Sequence, residues 1–112
     1  MVQAADELIV VLVTCGSDEE AAAIARAAVE ARWAACASVM GPVQSLYWWQ
    51  GKLETSRETQ LLLKTSLRLF EGLAAEIRRR HTYENPEIIA LPVSAAAPLY
   101  RDWLSANLRS TG

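Results

Sequence analysis

The run Leu8-Ile-Val-Val-Leu-Val-Thr14 constrains this chain more than any other stretch. A continuous β-branched and aliphatic segment with no polar alternation fits a strand covered on both faces, so it belongs at the centre of a sheet. Cys15-Gly16 breaks the run, and Ser17 with Glu20 three positions later forms a capping-box pattern that opens a helix. Ala21, Ile24, Ala25, Ala28, Val29 and Trp33 then share one helical face, which should pack on the sheet.

A second strand is expected from Ala35 to Met40. Gly41-Pro42 must interrupt it, because proline has no ladder donor and glycine permits a bulge; the strand resumes from Val43 to Trp49. Gln50-Gly51 supplies a tight turn, and Lys52 to Thr65 returns as the third strand of a long hairpin, with Ser56 marking a local irregularity. Leu67, Phe70, Leu73, Ala74 and Ile77 recur at helical spacing and end in Arg78-Arg79-Arg80. Asn85-Pro86 signals a turn, Glu87 to Val93 reads as a short fourth strand stopped at Pro92, and Pro98 to Leu108 reads as a terminal helix with Leu99, Trp103 and Leu104 on one side.

The order β-α-β-β-α-β plus a C-terminal helix is the split βαβ, ferredoxin-like α+β arrangement, with helices on one face of an antiparallel four-stranded sheet. At 112 residues, the chain is expected to form one domain over 1–112. The other sheet face then lacks a cover within the chain. In the hairpin Ser45, Tyr47 and Trp49 point one way while Leu46 and Trp48 point the other, so something outside the monomer should bury large apolar groups.

Net charge and termini narrow the function classes. A formal charge of -2 and a pI near 5.4 leave no basic field for a phosphate backbone, which argues against nucleic acid as a partner. Met1 to Glu7 carries no Lys or Arg, and Leu8 to Val13 is too short for a signal h-region or a membrane span, so a cytoplasmic protein without membrane contact is expected. Cys15 and Cys36 have no CxxC spacing and no accompanying His pair. They fall at opposite ends of parallel strands, separated by roughly 20 Å where a disulfide needs about 6 Å, and should be free thiols.

Several spaced motifs occur in order: Trp33-Ala-Ala-Cys-Ala-Ser38, Ser45-Leu-Tyr-Trp-Trp-Gln-Gly-Lys52, Leu63-Lys-Thr65, His81-Thr-Tyr-Glu-Asn-Pro-Glu-Ile-Ile89 and Tyr100-Arg-Asp-Trp103. Together they resemble the CutA family of divalent-cation tolerance proteins, over about Ile9 to Leu108. The resemblance implies a ferredoxin-like homotrimer whose long hairpin extends over a neighbour, with Tyr47, Trp48, Trp49 and Trp103 at the trimer interface. It implies a metal-responsive or weakly copper- or divalent-metal-binding protein without an obligatory cofactor. The chain departs from the family pattern at Ser38, where many members have Asn, and at Thr82, where Pro is usual. Two proposed copper-ligand positions, a strand cysteine and a histidine before the motif histidine, hold Val13 and Arg80.

His81 is the sole histidine and, with Cys36 and Glu84, forms the candidate metal set; the plainer reading of His81 is a helix C-terminal cation. Cys36 reads equally as a small core hydrophobe, and Cys15 as a low-affinity soft-metal contact. Glu58, Lys64 and Tyr83 form a candidate ligand cleft that the resemblance places near a subunit boundary. No nucleophile–base pair, phosphate loop or paired catalytic acids occur, so no enzyme is expected. Two other readings are a trimeric signalling module of the nitrogen-regulatory PII type, or an enzyme using the intersubunit cleft through Cys36 or His81.

Overall fold

Of the strands β1 (Leu8–Cys15), β2 (Cys36–Trp49), β3 (Lys52–Ser66) and β4 (Ile88–Pro92), in the sheet order β2-β3-β1-β4, β1 is apolar except for Thr14 and is flanked on both edges. The computed structural model describes residues 7–110. After β1 come α1 (Asp18–Glu30), β2 (Cys36–Trp49), β3 (Lys52–Ser66), a 3-10 turn (Leu67–Leu69), α2 (Phe70–Arg80), β4 (Ile88–Pro92) and α3 (Pro98–Ala106). All strand pairings are antiparallel, which makes β1 and β2 parallel across the intervening β3. This is the expected ferredoxin-like arrangement. No helix among the described residues is long and apolar enough to cross a membrane.

Period-two alternation divides β1 between two environments. Ile9, Val11, Val13 and Cys15 face the helices and are buried with Leu61 and Leu63 of β3, Ile24 and Ala28 of α1, and Leu73 and Ile77 of α2. Val10 and Leu12 face the other way and are only half-buried. A smaller cluster of Leu8, Leu69, Leu104 and Leu108 fastens α3 to the end of the sheet.

Local sequence explains the joints. Ser17 caps α1, its Oγ accepting the Glu20 N–H at 3.1 Å, and Asp18, Glu19 and Glu20 in the first turn match the positive end of the helix dipole. Gln50 and Gly51 both have positive φ, 50° and 79°, as a two-residue hairpin turn that follows the strand twist requires. The register slips between Met40 and Pro42, leaving Gly41 as the extra residue of a bulge on an edge strand.

Three sequence expectations need correction. Ser56 marks no irregularity; it pairs in register with Ser45, and its Oγ lies 2.7 Å from the Tyr47 hydroxyl. Leu67 is exposed because the entry to α2 is a 3-10 turn, whose tighter winding puts Leu69 rather than Leu67 into the core. Leu99 is 84% exposed, since α3 meets the body mainly through Leu104 and the following Leu108.

Trp33 is pinned between the Arg109 guanidinium, 3.9 Å from its ring centroid, and the backbone of α2 at Gly72. A Cβ at Gly72 would meet the Trp33 ring at 2.0 Å. Helix propensity favours Gly72→Ala by about 1 kcal/mol, while overpacking costs about 1–3 kcal/mol. A contact that close places the cost at the upper end. We expect Gly72→Ala to lower stability by about 1–2 kcal/mol in urea titration; an equal or higher midpoint would show that Trp33 swings aside freely.

Glu76 is buried near the end of α2 and is hydrogen-bonded by Arg79 and by Arg80, whose Nε lies 2.6 Å away. The Arg80 bond, opposed by burial and aided by Arg79, holds the Glu76 carboxyl below its ordinary value of 4.5. A depressed folded-state value means that the stabilisation is fully present above pH 4.5 and fades as pH falls through the lower folded value. Thermal melts below pH 4.5 should therefore decline less steeply in Glu76→Gln than in the wild type; parallel slopes would exclude Glu76 as a source of acid sensitivity.

Candidate metal centre

The end of β1, the start of α1 and the end of α2 converge because the crossover geometry returns both helices to the same sheet face. The β1–α1 junction carries Cys15, the first turn of α1 carries Glu20, and His81 is the C-cap of α2, its N–H bonded to the Ile77 carbonyl at 2.9 Å. Cys15 Sγ, a Glu20 carboxylate oxygen and a His81 ring nitrogen all lie within 4.8 Å of one another. This is the group of metal-ligating side chains found among the described residues.

Hydrogen bonds orient His81 and Glu20. The Tyr83 backbone N–H donates to His81 Nδ1 at 3.0 Å, so that nitrogen carries the lone pair, and Nε2 donates to the Thr14 carbonyl at 2.8 Å. Nδ1 also faces a Glu20 carboxylate oxygen at 3.8 Å. Glu20 accepts the Gly16 N–H at 3.0 Å on one oxygen and the Thr82 N–H at 2.7 Å on the other. The capping-box glutamate thus reaches one residue further back than expected, and it also ties down the loop after α2. Burial raises the Glu20 value, but the Gly16 and Thr82 bonds and the His81 ring more than offset this and leave it below 4.5, so its carboxylate is charged at neutral pH.

Cys15 behaves oppositely. Burial, then the charges of Glu20 and Glu58, push its thiol up to about 12. It is a neutral S–H at pH 7, unsuited to nucleophilic attack and available to a metal only by giving up its proton. Glu58 is also buried and accepts the Tyr83 hydroxyl at 2.6 Å. Burial and this bond raise the Tyr83 hydroxyl well above its ordinary value. Gly16 sits close beneath, where a Cβ would come within 3.3 Å of the Tyr83 oxygen. Neither Glu20 nor Glu58 forms an ion pair with a lysine or arginine among the described residues. The pocket is therefore negative and can accept a cation.

The structure regroups the residues singled out from the sequence. His81 joins Cys15 and Glu20, whereas Cys36 pairs with Lys64 on β3, five residues from the partner of Cys15, Thr59, or about 16 Å along the strand. Glu84 is exposed and outside the cluster. Glu58 and Tyr83 do meet, but Lys64 lies six residues further along β3 and contacts Tyr100 instead. The two cysteines are free thiols. Tyr47, Trp48, Trp49 and Trp103 are 39%, 74%, 51% and 46% exposed. Glu20 was legible in the sequence only as a cap; a capping glutamate five residues after a strand-end cysteine was the available signal for its second role.

Residues 9–107 match the family model described as CutA1 divalent ion tolerance protein. The chain is 42% identical over 98 residues to the divalent-cation tolerance protein CutA of Thermus thermophilus, covering 88% of this chain and 95% of that one. It is 37% identical over 103 residues to the namesake from Pectobacterium atrosepticum, covering 92% and 94%. Among solved structures, the Cut A1 protein of Thermus thermophilus aligns with a TM-score of 0.89 at 40% identity, covering 91% of this chain and 99% of that one. CutA1 from Oryza sativa aligns with a TM-score of 0.92 at 32% identity, covering 97% and 100%. With the family model spanning nearly the whole chain and the fold shared, this chain belongs to the CutA1 divalent ion tolerance protein family.

Proposed function

We propose that the protein serves divalent-cation tolerance by taking up a soft or borderline divalent ion, copper or zinc in character, weakly and reversibly at Cys15, Glu20 and His81. The observation that carries this reading is the convergence of one sulfur, one carboxylate and one imidazole donor within 4.8 Å. The donor set fits such an ion: thiolate and imidazole favour soft and borderline metals, and the unpaired charges of Glu20 and Glu58 offset the cation. Val13 and Arg80 stand at the ligand positions proposed in other members, and Cys15, two residues beyond Val13, supplies the sulfur instead.

Binding has to displace two existing interactions, the Cys15 proton and the Tyr83 N–H on His81 Nδ1. A thiol at about 12 gives up its proton at pH 7 at a penalty of about five tenfold steps in affinity. Such a site releases its ion readily, as a cation buffer must. Calorimetric titration with copper or zinc should show affinity rising about tenfold per pH unit between about pH 7 and 9, as expected when one thiol proton is released. Cys15→Ser should remove that slope. Tight, pH-independent binding, or binding unchanged in Cys15→Ser, would place the ion elsewhere.

The second element of the reading is self-association as a trimer. Residues Val43–Trp49 and Lys52–Glu58 extend beyond the last β1–β3 pair, Cys15↔Thr59, in a molecule 49 Å long and 25 by 22 Å across. Leu46, Trp48 and Leu53 share one face of that extension and are 62%, 74% and 57% exposed. Ile89 and Leu91 are exposed on the sheet face opposite the helices. Apolar surface so distributed supports burial by further copies of the chain.

A further inference from the structure

A cavity of about 340 Å³ opens at the other end of β1 from Cys15, between the sheet and the start of α3. Leu8, Val10, Val93, Ala96 and Leu104 give it an apolar wall, and Lys64 and Tyr100 are the polar side chains on its lining. Its volume lies within the range of roughly 300–1,000 Å³ typical of small-ligand sites. Val10 pairs with Lys64 and Cys15 with Thr59, so the cavity is about 16 Å along β3 from the candidate metal centre. It is independent of the cation reading.

Lys64 decides what the cavity fits. Its Nζ donates to the Tyr100 hydroxyl at 3.2 Å and lies 5.4 Å from the ring centroid, and no carboxylate among the described residues pairs with it. An ammonium has three donors, and only one is engaged by that bond. The Tyr100 oxygen accepts from Lys64, which leaves its own proton to donate. The hydrogen bond to Tyr100 outweighs half-burial and keeps Lys64 above its ordinary value, hence charged at neutral pH. Ala97, also on the lining, is the N-cap of α3 and provides no side-chain bond to the first amides, so the positive end of that helix adds to the same field.

We propose that this cavity binds a small monocarboxylate with an apolar, aromatic or branched aliphatic body. The carboxylate pairs with the Lys64 ammonium and the Tyr100 hydroxyl, and the body lies against Leu8, Val10, Val93 and Leu104. A purely apolar occupant would cover the ammonium without neutralising it, at the cost of burying an unpaired charge. A simple anion would leave the apolar wall wet. Charge and shape together select the amphipathic acid.

The test is titration of the full-length chain with 3-phenylpropionate, 3-phenylpropan-1-ol and acetate, followed by calorimetry and by amide shifts of Val10, Ala96 and Tyr100. The carboxylate should bind at least tenfold more tightly than either the alcohol or acetate. Lys64→Met should lose at least tenfold for the carboxylate while leaving the alcohol unchanged, and Tyr100→Phe should weaken the carboxylate by a few fold. Both substitutions are at half-buried or exposed positions, and unchanged melting temperatures would show that the fold is kept. Ala96→Leu, which fills the cavity, should abolish binding of all apolar probes. No binding of 3-phenylpropionate, equal binding by Lys64→Met, or acetate binding as tightly as 3-phenylpropionate would each overturn the proposal; the last would mark an exposed lysine attracting any anion.

Discussion

His81→Ala is expected to cost about 2–4 kcal/mol in stability and to abolish cation binding at the candidate centre. The His81 side chain has no exposed surface, so its removal leaves a cavity in addition to two broken hydrogen bonds. The Thr14 carbonyl and the Tyr83 N–H lose their shared partner, and the loop that follows α2 then depends on the Thr82 bond to Glu20, the Tyr83 bond to Glu58 and the Thr14 bond to Glu87, 2.7, 2.6 and 2.9 Å long. Chemical denaturation reads the first effect and metal titration the second. Cys15→Ser separates them, because a hydroxyl nearly preserves the packing while removing the sulfur donor. Should His81→Ala melt like the wild type, the ring is not the bracket the geometry describes. Should it bind copper unchanged, His81 is not a ligand.

Trp48→Ala with Trp49→Ala is expected to change the state of assembly itself. In one chain these rings are 74% and 51% exposed, on opposite faces of a hairpin that outruns the rest of the sheet. Burial of such a ring contributes about 2–3 kcal/mol, and a closed three-fold assembly repeats every contact three times. The wild type should sediment as a trimer and melt at a temperature that rises with concentration. The double variant should give monomer or aggregate, since Leu46 and Leu53 remain exposed beside an unpaired strand edge. Light scattering that found a stable wild-type monomer, or a double-variant trimer of unaltered stability, would refute the role given to the hairpin.

Element order, both crossovers, the Gly41 bulge and the Gln50-Gly51 turn were legible in the sequence because each depends on neighbours in the chain: alternation, helical spacing, a cap, a proline without a donor. Leu67 misled for a local reason, the 3-10 turn, which shifts side-chain phase without altering residue type. The metal-ligating group was different. His81 and Cys15 were both visible as residues, yet His81 was matched with Cys36 and Glu84 because nothing in linear spacing shows that α2 ends over the β1–α1 junction. Only the packing of the two helices on one sheet face brings Cys15, Glu20 and His81 within 4.8 Å and leaves Cys36 on another strand with Lys64. Strands and turns follow from short-range chemistry, whereas a site assembled from three segments follows from the directions in which the elements return.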